Sequence, residues 1–161
     1  EVLTSDGTDI AWAAASSGAD ITIIDQTSDQ TKNGNTTMVA TELTFAAAAC
    51  AEYGIKAVVK FSTNSTPDIK FDFTAPTNAT GVTTSSGLNS SGTFAMIAHG
   101  NAFGTDIAHG GQNGTSQARI DTILTTTCAG DFTLNFAQNT SNASDTKVLI
   151  GSYMLVSRLC T

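Results

Sequence analysis

The sequence predicts an all-β protein: an antiparallel β-sandwich of about eight strands, in the manner of a jelly roll. Three observations carry this expectation. Apolar and polar residues alternate with a period of two in several short segments, the pattern of strands buried on one side only. Clusters of Asn, Gly, Ser, Thr and Pro separate those segments at short intervals. No stretch of ten or more residues carries an apolar stripe at helical spacing.

The elements follow in chain order. Residues 1–18 stand apart as an N-terminal arm, in which Val2, Leu3 and the lone tryptophan, Trp12, precede a run of small residues. Two roles are open for it: Trp12 packs on the sandwich, or the arm connects to an upstream shaft or anchor. The remainder, 19–161, forms a single sandwich domain. Strands are expected over 20–25, 42–45, 54–61, 68–74, 93–98, 119–127, 131–136 and 147–159. The clearest puts Ile69, Phe71 and Phe73 on one face and Asp68, Lys70 and Asp72 on the other. Phe132, Leu134 and Phe136 repeat the device. Residues 46–51 are the best helix former by propensity, yet the run is short and flanked by strand-like sequence. The segment 147–159 is apolar on both faces, which suits a core strand or a subunit contact, with Tyr153, Met154 and Val156 as its candidate assembly residues. Gly151-Ser152 interrupts it and predicts a bulge or kink. Turns are expected at 33–35, 62–67, 75–78, 85–87, 89–92 and 139–144.

The composition narrows the function classes. A chain of 161 residues is long enough for one core. Charged residues make up only 13% of it, with 7 Lys+Arg against 14 Asp+Glu and a net charge of -7. Thr, Ser and Asn fill the gap, giving a neutral surface of hydroxyls and amides. The few basic residues are scattered, so no nucleic-acid partner is expected. No apolar run approaches the length of a membrane span, and no membrane partner is expected either. The chain opens on Glu1 without a basic, apolar leader, so its start was processed or it belongs to something longer. Cys50, Cys128 and Cys160 form no CxxC pair and make a poor disulfide framework and a poor zinc site. They are expected as reduced, small apolar residues, with a Cys128–Cys160 bridge as the alternative.

Catalytic chemistry finds little to work with. His99, Asn101, Asp106 and His109 share a Gly-rich stretch, and two histidines with a carboxylate could ligate a metal. Their spacing in a loop fixes no mutual geometry, so a mobile or interface loop is the expectation, with these four as candidate ligand contacts. GxSxG, HExxH and Walker motifs are absent, the acids are too dispersed for a calcium loop, and no cofactor is expected. A non-enzymatic protein follows. Glycan platforms stack sugars on exposed aromatics, and besides Trp12 only Tyr53 and Tyr153 are of the usual type, both in apolar strands. Seven of the ten asparagines begin an Asn-X-Ser/Thr triplet: Asn35, Asn64, Asn78, Asn89, Asn113, Asn139 and Asn142. They are glycan acceptors or Asx and ST turns, and the second reading needs no secretory host.

Several phrases resemble a β-sandwich domain of tailed-phage structural proteins. These are 36–45 with Tyr53, then 66–81, then 136–144, and finally Gly151-Ser152-Tyr153-Met154-Leu155. The opening Val2-Leu3-Thr4-Ser5-Asp6-Gly7-Thr8 is similar to a phrase that precedes the knob of phage fibres. The stretch 46–50 departs from the family, which is more polar there. The resemblance implies a virion-surface component, a head decoration protein or a fibre knob. It further implies a homotrimer that meets other virion proteins such as capsid or fibre shaft. A receptor- or glycan-binding module acting through its loops on a host-surface glycan is the alternative.

Overall fold

The computed structural model describes residues 2–5, 10–13, 21–99 and 103–159, with backbone alone for 2–5, 10–13 and 97–99. Every regular element among them is a strand. The first four are β1 (Val2–Ser5), β2 (Ile10–Ala13), β3 (Ile21–Asp25) and β4 (Gln30–Lys32). Eight follow: β5 (Val39–Ala47), β6 (Ala51–Thr63), β7 (Ile69–Thr74), β8 (Thr80–Leu88), β9 (Phe94–His99), β10 (Ile107–His109), β11 (Gly114–Thr126) and β12 (Gly130–Gln138). The chain closes with β13 (Thr146–Val148) and β14 (Tyr153–Leu159).

Strands β5 to β12 form one long hairpin, four strands out and four back. β8 pairs with β9, β7 with β10, β6 with β11 and β5 with β12, all antiparallel. The hairpin is rolled up so that β7 also meets β12 and β8 also meets β11. Two sheets result, β10-β7-β12-β5 and β6-β11-β8-β9. This is the jelly roll expected from the sequence. The second sheet then grows past β6: β14 runs beside residues 52–58, β13 beside Phe61 and Ser62, β3 pairs with β14 and β4 with β13. The arm's β1 and β2 pair with each other, in a separate two-stranded sheet.

The core is made by the inward positions of both sheets. Phe61, Phe71, Phe132, Phe136, Leu43, Ile120 and Leu124 are fully buried. Phe73 stacks on Phe132 with ring centroids 4.7 Å apart, and Phe61 meets Phe71 edge-on at 6.0 Å. The same core cluster takes in small residues, Ala57 and Ala118, beside these large rings.

Three expectations need correction or refinement. The turn expected at 85–87 is the middle of β8, whose inward residues are Thr83, Ser85 and Gly87. Hydroxyls replace hydrocarbon there: Thr83 and Thr122 hydrogen-bond at 3.0 Å, and Ser85 Oγ donates to the Arg119 carbonyl at 3.1 Å. The alanine run 46–51 ends β5, turns the corner and starts β6, because Ala47 and Ala51 both face the core. The segment 147–159 is two strands on one edge of β6, broken by a turn with Gly151 at φ 85°. Ser152 fills the break, its Oγ accepting from the Lys60 N–H at 2.9 Å.

Candidate interaction face

The outer face of the large sheet is built from the alternate residues of six strands. Cross-strand register sets Ile21, Ser157, Gly54, Ile123 and Val82 in one row across β3, β14, β6, β11 and β8. The next row holds Ile23, Leu155, Lys56, Asp121 and Thr84. A third runs Asp25, Tyr153, Val58, Arg119, Ser86 and Met96, and Phe94 stands beside Leu88. An antiparallel sheet that faces water on one side places polar residues there. This one does the opposite at its margins. Met96 is 80% exposed, Phe94 70%, Ile21 66% and Ile23 62%, with Val82 and Ile123 exposed between them.

The smaller sheet shows the ordinary arrangement. Its outward positions carry Glu42 and Thr44 on β5, Thr133 on β12, and Lys70, Asp72 and Thr74 on β7. They bond to one another: Thr44 to Thr133 at 2.7 Å, Asn135 Nδ2 to Thr74 at 2.8 Å. One molecule thus has one wetted face and one face whose margins, with Val82 and Ile123 between them, expose large apolar residues around a charged centre; it is called the apolar face below. Across its three rows the charges balance, Lys56 and Arg119 against Asp121 and Asp25, and Asp121 lies 3.9 Å from both cations at the centre. Among the described residues its two margins, β3 and β9, are the edges of the sheet. Natural edge strands are usually protected by charge, and of the two only β3 carries one, Asp25.

The strap between β3 and β5 fixes the edge to the sandwich. Gln26 is buried, donating Nε2–H to the Ser28 carbonyl at 2.8 Å and accepting the Glu42 N–H at 3.1 Å. The Glu42 carboxylate accepts from the Ser28 hydroxyl and from both the hydroxyl and N–H of Thr27. Those donors, Ser28 first, hold its pKa down at about 2. Asp68 goes the other way. Burial raises its pKa, against the lowering effect of the Gly111 N–H that bonds Oδ1 at 2.8 Å.

The sequence-derived candidates fall in different places. Met154 and Val156 are buried in the core, so of the two roles open to this strand they take the first. Its outward residues, Tyr153 and Leu155, are half-buried on the apolar face. In the arm, register sets Leu3 opposite Trp12 and Val2 opposite Ala13. The side chains of Val2, Leu3 and Trp12 lie outside the described residues, as do Asn101 and the His99 side chain. Asp106 is exposed and paired with Lys70 at 2.7 Å. His109 is fully buried, near the rings of Phe61 and Phe71, with Nε2 2.7 Å from Ser85 Oγ. The Ser85 hydroxyl thus bridges the His109 ring and the Arg119 carbonyl, which lies 3.1 Å from Oγ. The structure does not bring Asp106 and His109 together as a ligand pair. No cluster of three His, Cys, Asp or Glu placed for a metal occurs among the described residues.

Fold and face together define the class: a jelly-roll β-sandwich whose large sheet, among the described residues, exposes large apolar side chains on its outer face. No family model matches the chain, and no curated protein is similar to it. Solved structures of virus particles align with it over nearly its whole length at low similarity. For the infectious bursal disease virus Gt strain the identity is 12% and the TM-score 0.24, covering 98% of this chain and 45% of that one. For the T13 particle of the same virus the identity is 13% and the TM-score 0.26, covering 99% and 44%. For its VP2 subviral particle the identity is 9% and the TM-score 0.23, covering 98% and 41%. The chain therefore spans less than half the length of the chains it aligns with.

Proposed function

We propose that the chain is a non-enzymatic structural protein of a virion, acting by self-association and by docking onto other particle proteins. The observation that carries this reading is the apolar outer face of the large sheet. Contiguous exposed apolar surface on a folded domain marks a place where something else binds. The charges on it, Lys56 and Arg119 beside Asp121, lie close enough to compensate one another when covered, and the Thr and Ser around them desolvate at lower cost than ionised groups. The finer reading is a homotrimer on the surface of a tailed-phage particle, as head decoration or fibre knob, with residues 1–18 as the docking or shaft-proximal element. It rests on the resemblance of the sequence phrases. Sedimentation of the isolated chain tests it: a trimer at micromolar concentration is expected, and a monomer across that range overturns self-association. Deleting residues 1–18 tests the arm, and unchanged incorporation into particles removes its proposed role.

A further inference from the structure

The outer face of the large sheet inverts the usual anatomy of an interface, in which an apolar centre is ringed by a polar rim. Among the described residues the four most exposed large apolar side chains stand at its margins, Ile21 and Ile23 on β3, Phe94 and Met96 on β9. Lys56, Arg119 and Asp121 occupy the strands between. Two such faces laid flat on one another would bury the charged centres deepest and leave the apolar margins at the rim. A contact from margin to margin does the reverse. The topology says which margins meet. Each neighbouring pair along β3-β14-β6-β11-β8-β9 is antiparallel, so β3 and β9 run in opposite directions. Rotating a copy about an axis along the strands therefore sets its β3 antiparallel to β9 of the next, with the same face still turned to the axis. Neither edge is well guarded, since β9 has no Asp, Glu, Lys or Arg and β3 has Asp25 alone. A two-fold pairing of β3 with β3 would leave both β9 margins exposed, and one of β9 with β9 would expose both β3 margins. A β3–β9 contact covers both margins of every copy, and a head-to-tail contact of this kind can close into a ring.

We propose that three copies of the chain close a ring about an axis along the strands, outer faces inward, with Ile21 and Ile23 of each packed against Phe94 and Met96 of the next. The inference rests on the self-association proposed above and names the contact that makes it. Strands in a sheet are spaced ~4.8 Å apart, so the path from β3 to β9 with one further spacing at the joint gives a side of about 29 Å. Three such sides set the middle of each sheet about 8 Å from the axis, against about 5 Å when two sheets pack dry across a midplane. The apolar margins then fill the corners of the triangle, where neighbouring sheets converge. The wider space at the middle holds the long, hydrated side chains of Lys56 and Arg119 beside Asp121. Apolar margins around a charged centre are what that geometry requires.

The test uses the full chain with Cys50, Cys128 and Cys160 replaced by Ser, into which Thr22→Cys and Thr93→Cys are introduced singly and together. Both threonines are exposed, Thr22 between the two isoleucines and Thr93 beside Phe94, so the four packing residues stay in place. Within one chain the two positions lie on opposite margins, about 24 Å apart across the sheet, beyond the span of a short bismaleimide. Each variant is treated with that reagent, separated on a denaturing gel and sedimented in parallel. The expected result is covalent dimers and trimers, and nothing larger, from the double variant, with no linked species from either single variant. A single variant that links to itself overturns the head-to-tail contact. A double variant that sediments as an oligomer without linking, or that links into species beyond the trimer, overturns the proposed ring and leaves self-association standing. A parent chain that sediments as a monomer overturns both.

Discussion

Ser152→Ala isolates the joint between β13, β14 and β6. Ser152 is fully buried, and its Oγ lies 2.9 Å from the Lys60 N–H, 2.8 Å from the Leu149 carbonyl and 3.1 Å from the Lys60 carbonyl. Truncation leaves both carbonyls with partners, because Leu149 N–H bonds Lys60 O at 2.9 Å and Ser152 N–H bonds Leu149 O at 3.2 Å. The Lys60 N–H is left with none, since β13 and β14 pass on either side of it. A buried donor without an acceptor costs about 1–3 kcal/mol. For a chain of this length each kcal/mol moves Tm by roughly 2–4 °C, so a loss of about 2–12 °C is expected. The assay is thermal unfolding followed by far-UV circular dichroism, at fixed protein concentration because association shifts Tm. Ser157→Ala on the outer face of β14 is the control and changes stability by under about 0.5 kcal/mol. A Ser152→Ala variant that melts with the parent refutes the bridging role of the hydroxyl.

Three further outcomes follow from the packing. Glu42 has a folded pKa of about 2 against an ordinary value of 4.5, so its contribution is complete above the unfolded value and fades as pH falls toward 2. Urea unfolding should therefore show Glu42→Gln less stable than the parent at neutral pH, with the gap closing between pH 4.5 and 2; a gap independent of pH contradicts the clamp. Gly87→Ala should destabilise, because a Cβ there meets His109 Nδ1 at 2.7 Å and the Gln117 carbonyl at 3.1 Å; an unchanged urea midpoint would show that His109 yields freely. Phe132→Ala removes a fully buried ring packed on Phe45, Phe73 and Phe103, and should cost about 3–5 kcal/mol in the same assay.

What the sequence shows of this fold depends on where hydrocarbon carries the signal. β7 and β12 are legible because every inward residue from Ile69 to Phe73 and from Phe132 to Phe136 is large and apolar. β8 hides because hydroxyls and a glycine line its inner face, satisfied by Thr122, His109 and the Arg119 carbonyl. β10 is three residues long, too short for any period. The Asn-X-Ser/Thr triplets are turn chemistry at Asn35, Asn89 and Asn142, where Oδ1 accepts the N–H two residues on. The apolar face is the least legible feature. Ile23 precedes the inward Ile24 and Ile123 precedes the buried Leu124, so exposed and buried residues merge into one apolar run. Only the register separates them. An apolar residue out of phase with an otherwise clean alternation was the available signal.

The account turns on whether that face is covered by another copy of the chain. Replacing Ile21 and Ile23 by Thr keeps the strand propensity of an exposed edge, leaving the isolated fold intact. Burial of an Ile side chain contributes about 1.5–3 kcal/mol, and roughly two-thirds of each is at stake here, giving about 2–4 kcal/mol for the pair. Sedimentation velocity over a concentration series, parent against this variant, is the most direct measurement. The account predicts that the parent associates and that the variant's association weakens by roughly 30-fold to a thousandfold. Equal association of the two, with matched circular dichroism, would contradict it.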